Sequence, residues 1–311
     1  MKKNIINQSH IEGILYEHSL ELKTSGPNSK NPGTQFITGT ISIATDNDMT
    51  NIIPVHFTYV TATNKSGSAN ATFTALNNII NKTYGAYMEV GKERAVKMRI
   101  DSAVGLNEFY SDRNGKEELV STKRNEGGFI HIVDVLVEDE KQRNTFTCDM
   151  LITNCRRVEG DPDKNTDDKV IVKGAIFDFR NSLLPVEFTA VNPNAMTYFE
   201  GLGATNATPV FTKLWGRQVS ETVVKTIVEE SAFGDNAVKT TTSNRKDWVI
   251  TGAATEPYIW DDESTMTAAE LAKAVADREI YLAGVKQRAD EYKASKSAAP
   301  ANAAPSATFN F

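Results

Sequence analysis

The residues IIPVHFTYV, Ile52 to Val60, return later in the chain as LLPVEFTAV, Leu183 to Val191. Two aliphatics, Pro-Val, one variable residue, Phe-Thr, another variable residue and Val are written twice. No other feature constrains the fold as strongly, because self-similarity over a long period marks a repeated structural unit. The likeness extends upstream, through QFITGTISIATDNDMTN from Gln35 and KVIVKGAIFDFRNS from Lys169. Gly39 aligns with Gly174, Ile41 with Ile176, and Pro54-Val55 with Pro185-Val186, which leaves four extra residues in the first copy's TDND turn. Two copies make a duplicated domain; a solenoid needs more.

Each copy reads as two strands joined by a polar turn. Val55, Phe57 and Tyr59 alternate with His56 and Thr58, and Val186, Phe188 and Ala190 alternate with Glu187 and Thr189. Alternation rich in β-branched and aromatic residues marks a half-buried strand. Pro54 and Pro185 lack an N–H, which suits a strand start, and the central glycine suggests a bulge or bend. The flanks repeat more loosely. HIEGILYEHSLEL and TFTCDMLITNCRRV are strand-like stretches before the copies; ATFTALNNIIN and NPNAMTYFEGLG, the latter capped by Asn192, are short helices after them. Two further strand segments close each half: AVKMRIDSAVGLNEFYS and ELVSTKRNEGGFIHIVDVLV, then PVFTKLWGRQVSETVVKTIVEE and DWVITGAATEPYIWDD.

The resulting order, β-β-β-α-β-β, resembles the OB-fold, a five-stranded Greek-key barrel that binds oligonucleotides and oligosaccharides. The expected fold is therefore mainly β: two tandem OB-fold-like barrels, then a long C-terminal helix and a disordered tail. The expected bounds are 1–142, 143–263, 264–294 and 295–311. In the third segment, Thr267 and Glu270 form a capping box. Leu271, Val275, Leu282, Val285, Ala289 and Tyr292 recur at helical spacing, interrupted by Arg278. Such a helix either packs on its own barrels or docks a partner. The Ala/Pro/Ser tail ends in Phe309-Asn310-Phe311, aromatics that could bait a hydrophobic pocket.

Composition, 40% hydrophobic and 24% charged, is that of a globular protein. No apolar run is long enough to span a membrane. MKKNIINQSH lacks the apolar stretch of a secretory leader, and two cysteines cannot build a disulfide framework, so a cytoplasmic setting is expected. A net charge of −6 disfavours coating duplex DNA through bulk positive charge.

Chemistry-bearing motifs are scarce. There is no P-loop and no nucleophile elbow. His10, His18, His56 and His131 are scattered, and Cys148 and Cys155 read as buried small hydrophobes. Asp161, Asp163 and Asn165 mimic the start of a calcium loop, but Thr166 stands where glycine is needed and Val172 where the bidentate glutamate belongs. No metal, cofactor or enzymatic activity is expected. What remains is a mixture of cations and aromatics on β segments. Lys97 and Arg99 oppose the apolar Met98 and Ile100, and Lys213, Trp215 and Arg217 share one face of the equivalent strand. Tyr110, Lys123, Arg124, Arg156, Arg245 and Lys246 add to the set. Cations that follow a backbone and exposed rings that stack bases are what single-stranded nucleic acid binding requires. Each residue also has a plainer reading, as a solvated face or, for Trp215, as core beside Gly216; Trp248 reads as core.

Tandem barrels followed by a flexible tail ending in phenylalanine resemble phage-type single-stranded DNA-binding proteins. That resemblance implies a non-enzymatic protein that coats single-stranded DNA during replication, recombination or repair in a host cytoplasm. It also implies recruitment of replication or recombination proteins through Phe309 and Phe311, and an oligomer is compatible with it. The chain departs from bacterial members, whose tails are acidic: here the nearest acidic run, Asp261-Asp262-Glu263, precedes the helix. The rival expectation is a virion structural or assembly protein built on the same barrels.

Overall fold

A computed structural model describes residues 5–113, 116–161, 167–229, 233, 237–259, 261–263 and 265–298. The strands are β1 (Asn7–His18), β2 (Glu21–Thr24), β3 (Gln35–Ala44), β4 (Ile52–Thr61), β5 (Lys97–Arg113) and β6 (Lys116–Ile132). After them come β7 (Asn144–Val158), β8 (Lys169–Phe177), β9 (Leu183–Ala190), β10 (Val210–Glu229) and β11 (Ala237–Ala253). Helices α1 (Ala71–Ile80) and α2 (Tyr87–Val90) lie between β4 and β5, α3 (Pro193–Gly201) lies between β9 and β10, and α4 (Ala268–Ala298) follows β11.

The strand pairing closes two barrels with one topology. In the first, β1 pairs antiparallel with β3 and β5, β3 with β4 and β5 with β6, and a parallel β4–β6 contact closes the ring. In the second, β7, β8, β9, β11 and β10 repeat that circuit, closed by a parallel β9–β11 contact. Five strands, one parallel closure and a helix between the third and fourth strands in chain order make the OB arrangement. The extra strand β2 and helix α2 were absent from the sequence expectation. Helices α1 and α3 each begin at an asparagine, Asn70 or Asn192, whose side chain accepts an early backbone N–H, and each buries two residues against its barrel.

The repeated phrase forms β4 and β9, and Val55, Phe57, Val186, Phe188 and Ala190 are buried as their alternation requires. The glycine match does not hold. Val55 faces Ile41 across its hairpin, whereas Val186 faces Gly174, so Gly39 and Gly174 occupy positions two residues apart. The first hairpin turn, 45–51 against 178–182, is two residues longer, and placing all four extra residues in it shifted the alignment. Gly39, at φ 132°, lies where a Cβ would meet the Ser19 carbonyl, which is the bend the sequence suggested.

A better repeat appears in the first strands. Both β1 and β7 carry a bulge, between Leu15 and Glu17 and between Ile152 and Asn154. Aligned on those bulges, Asn7 corresponds to Asn144, and both do the same work. Asn7 donates to the Val104 carbonyl at 2.9 Å, and Asn144 donates to the carbonyl of Gln218, the residue equivalent to Val104. The two strands then pair with each other, antiparallel, with Ser9 opposite its own counterpart Phe146. Asn7 faces Cys148 and Ile11 faces Asn144, so each contact has its mate. The barrels are joined as two subunits of a symmetric dimer would be.

Gln218 locks this seam. Its side-chain nitrogen donates to Ser9 Oγ (3.0 Å) and Asn125 Oδ1 (2.9 Å), and Asn125 Nδ2 returns a bond to Gln218 Oε1 (2.7 Å) and another to the Pro54 carbonyl (3.1 Å). All three side chains are buried. Every amide hydrogen of Gln218 and Asn125 has an acceptor, which is what makes a buried polar cluster tolerable.

Helix α4 starts at the expected capping box: Glu270 N donates to Thr267 Oγ1 at 3.2 Å and Thr267 N to Glu270 Oε2 at 3.1 Å. Leu271 and Ala274 pack with Leu151, Phe177 and Phe211 of the second barrel. Arg278, which seemed to interrupt the apolar stripe, lies inside it, paired with the buried Glu108 of β5. Val275 and Tyr292 are exposed instead. The helix continues to Ala298, four residues into the expected tail, and Phe309 and Phe311 lie outside the described residues. Among the described residues no helix is long and apolar enough to cross a membrane.

Candidate nucleic-acid interface

Because β1 and β7 pair, β10, β7, β1, β5 and β6 form one continuous layer across both barrels. One face of it is core: Leu214, Cys148, Ile11, Ile100 and Met98 are all buried. The other face carries Lys213, Trp215 and Arg217 on β10, Thr145 and Thr147 on β7, Gln8 and His10 on β1, and Lys97 and Arg99 on β5, since residues opposite one another in a ladder share a face. Two sets of cations that the sequence placed on equivalent strands therefore share one surface.

Trp215 is 39% exposed. Its partner across the ladder is Gly252, and a side chain there would collide with the indole. Glycine thus lets the ring lie flat on β11. A shallow groove of about 450 Å³ adjoins it, lined by Lys141, Thr145, Thr147, Trp215, Arg217 and Thr251. Among the described residues no ion pair engages Lys213, Arg217 or Lys141. A ring, cations free of carboxylates and a row of hydroxyls can stack a base, neutralise phosphate and hydrogen-bond the rest. Trp248, by contrast, packs on Phe146 and Phe188 within the core.

The first barrel's part of this surface is paired internally. Asp101 lies 3.4 Å from Arg99 Nε, 3.2 Å from His10 Nδ1 and 3.3 Å from His131 Nε2. Two of the four histidines that looked scattered in sequence, His10 and His131, meet at one carboxylate. Among the described residues no group of three or more His, Cys, Asp or Glu is arranged to hold a metal. Lys97 is exposed and donates to the Asp134 carbonyl at 3.1 Å.

Three candidates leave the open surface. Lys123 donates its ammonium to the Glu187 carbonyl and sits over the Phe188 ring, so it links the barrels; burial brings its pKa down to about 8. Arg124 pairs with Glu126 and lines a partly open pocket of about 510 Å³ between the barrels and α4. The ring of Tyr110 is covered by Lys286 of α4, 5.4 Å from its centroid. Arg156 and Lys246 are exposed, away from the Trp215 groove, and the Arg245 side chain lies outside the described residues, as do Asp163 and Asn165 of the calcium-like stretch. The cysteines are buried or half-buried, and burial pushes the Cys155 thiol up to about 11.

The sequence also missed an aromatic pair. Alternation assigned Tyr59 to the face of Val55 and Phe57, yet it is 46% exposed and packs at a tilt against Phe36 with centroids 4.4 Å apart. Between the pairs Phe57–Gly39 and Val60–Ile37, β4 advances three residues and β3 two, so a bulge turns Tyr59 outward. This pair lies on the hairpin face that OB barrels offer to oligonucleotides.

A family model for YorF matches residues 5–294. The chain belongs to the YorF family. No curated protein matches it. Among solved structures, it is similar to the wild-type single-stranded DNA binding protein from Thermus aquaticus, at 10% identity and a TM-score of 0.46, covering 82% of this chain and 94% of that one. A deletion mutant of the same Thermus aquaticus protein gives 9% identity, a TM-score of 0.46, and coverage of 84% and 98%. The barrel assignment for this YorF-family chain rests on its own strand pairing.

Proposed function

We propose that this YorF-family protein binds single-stranded DNA without chemistry of its own. The observation that carries the reading is Trp215, laid flat over Gly252 on the open face of an OB-topology barrel, with Lys213, Arg217 and Lys141 beside it. Base stacking on such a ring is worth about 1–3 kcal/mol per base and tolerates any sequence. Coating exposed strands during phage replication, recombination or repair in a host cytoplasm suits a binder of this kind. Recruitment of partner proteins by Phe309 and Phe311 belongs to the same proposal. The candidate contacts are Trp215, Lys213, Arg217, Lys97 and Arg99, with Arg156, Arg245 and Lys246 as outlying cations.

Fluorescence anisotropy of a labelled 30-mer oligothymidylate, titrated at three salt concentrations and compared with duplex of equal length, tests this. Binding to the single strand is expected to weaken log-linearly with salt, by about 0.7 in slope per phosphate neutralised, and to be much tighter than duplex binding. No binding at low salt would refute the proposal and favour an assembly protein built on the same barrels.

A further inference from the structure

The two-fold relation between the barrels maps Trp215 of β10 onto Asp101 of β5, and Gly252 of β11 onto Phe129 of β6. One place on the surface is thus filled twice, from opposite strands. In the second barrel the fourth strand in chain order supplies a ring and the fifth a glycine. In the first barrel the fifth strand supplies a ring and the fourth a carboxylate. Phe129 is 71% exposed, and among the described residues no other ring stacks on it.

We infer that Phe129 is a second base-stacking platform, and that one DNA single strand crosses the β1–β7 seam to reach both rings. This rests on the reading of the Trp215 groove above. Four strand steps of about 4.8 Å, with an offset of two residues, put Phe129 about 20 Å from Trp215 along the sheet. At a stacked rise of 3.4 Å, about six nucleotides span that distance. The path between runs over Thr147, Thr145, Gln8 and His10, all polar and none anionic. Asp101, the carboxylate beneath Phe129, is held by Arg99, His10 and His131, and Glu12 is buried, accepting from the Val137 N–H. Lys97 lies beyond them, and Lys213 with Arg217 stand at the far end. The surface therefore suits a polyanion although the chain carries a net charge of −6.

The test compares wild type, Trp215→Ala, Phe129→Ala and Phe129→Tyr on a 12-mer oligothymidylate, with sedimentation of each free protein. Phe129→Ala is expected to weaken binding about tenfold, Trp215→Ala by a similar factor, and Phe129→Tyr hardly at all. If Trp215→Ala weakens binding and Phe129→Ala does not, the seam-crossing path is wrong while the proposed function stands. If neither substitution matters, both readings fall. If Phe129→Ala lowers the sedimenting mass and leaves affinity intact, the ring is a contact between copies of this chain and the inference is overturned.

Discussion

The two barrels share a circuit of strands, yet they present different chemistry at matched positions. In the second barrel the surface around Trp215 keeps its cations free of carboxylates. In the first barrel the matched position is Asp101, and a guanidinium and two histidines turn inward to it. Gln218 likewise replaces Val104 and converts an apolar position into the lock of the seam. Topology fixes where a side chain can stand. Which residue stands there decides whether the surface is sealed, paired or open.

The largest expected effect separates the barrels. Gln218→Ala leaves one Asn125 Nδ2 hydrogen without its acceptor in the buried seam, while Ser9 Oγ keeps only its bond to Asn125 Oδ1, and losing such a partner costs about 1–3 kcal/mol. Urea unfolding followed by tryptophan fluorescence, which reports the second barrel, and by circular dichroism should then give an earlier midpoint and transitions that no longer coincide. Coincident transitions at an unchanged midpoint would show that the seam does not couple the barrels.

The next effect concerns Lys123, the first barrel's cation inside the second. Its folded pKa of about 8 lies below the ordinary 10.5, so between those values the folded state holds fewer protons than the unfolded state. Stability should therefore rise with pH across that window. Lys123→Met should abolish the rise; an unchanged pH profile in the variant would place the titration elsewhere.

Smaller again is the electrostatic share of binding. Lys213→Ala with Arg217→Ala should flatten the salt slope of oligothymidylate binding by about 1.4, two phosphates' worth. Lys97→Ala should change it less, because that ammonium already serves the Asp134 carbonyl. Equal effects would erase the proposed contrast between the barrels.

The smallest effect lies on α4. Lys286 bridges Glu117 and Asp290, and its bond to Glu117, with a second from Lys293, holds the Glu117 carboxyl below its usual range. The site is solvent-accessible, so Lys286→Ala should change stability little and uncover Tyr110. Faster amide exchange along β5 would register that uncovering.

Much of the architecture was legible because burial is periodic. The Phe-x-x-Val phrase, the two asparagine-capped helices and the Thr267–Glu270 box are local signals, and each appears where its chemistry places it. Tyr59 was misassigned because a bulge changes strand phase without any mark in composition. The outer half of β11, AVKTTTSNRK, escaped because a projecting hairpin arm need not alternate. The seam was invisible because its repeat is one asparagine per copy, Asn7 and Asn144. The cations could be read from sequence, but their partners could not. Lys123 is spent on a contact that exists only once both barrels are assembled, and Arg124 on Glu126, two residues away on its own strand.

The most direct test of the account is photo-cross-linking of the full chain to an oligothymidylate carrying 5-iodouracil, with the attached peptide identified by mass spectrometry. The account predicts attachment at Trp215, lost in Trp215→Ala. Attachment confined to Phe36 and Tyr59, on the hairpin face of the first barrel, would contradict it.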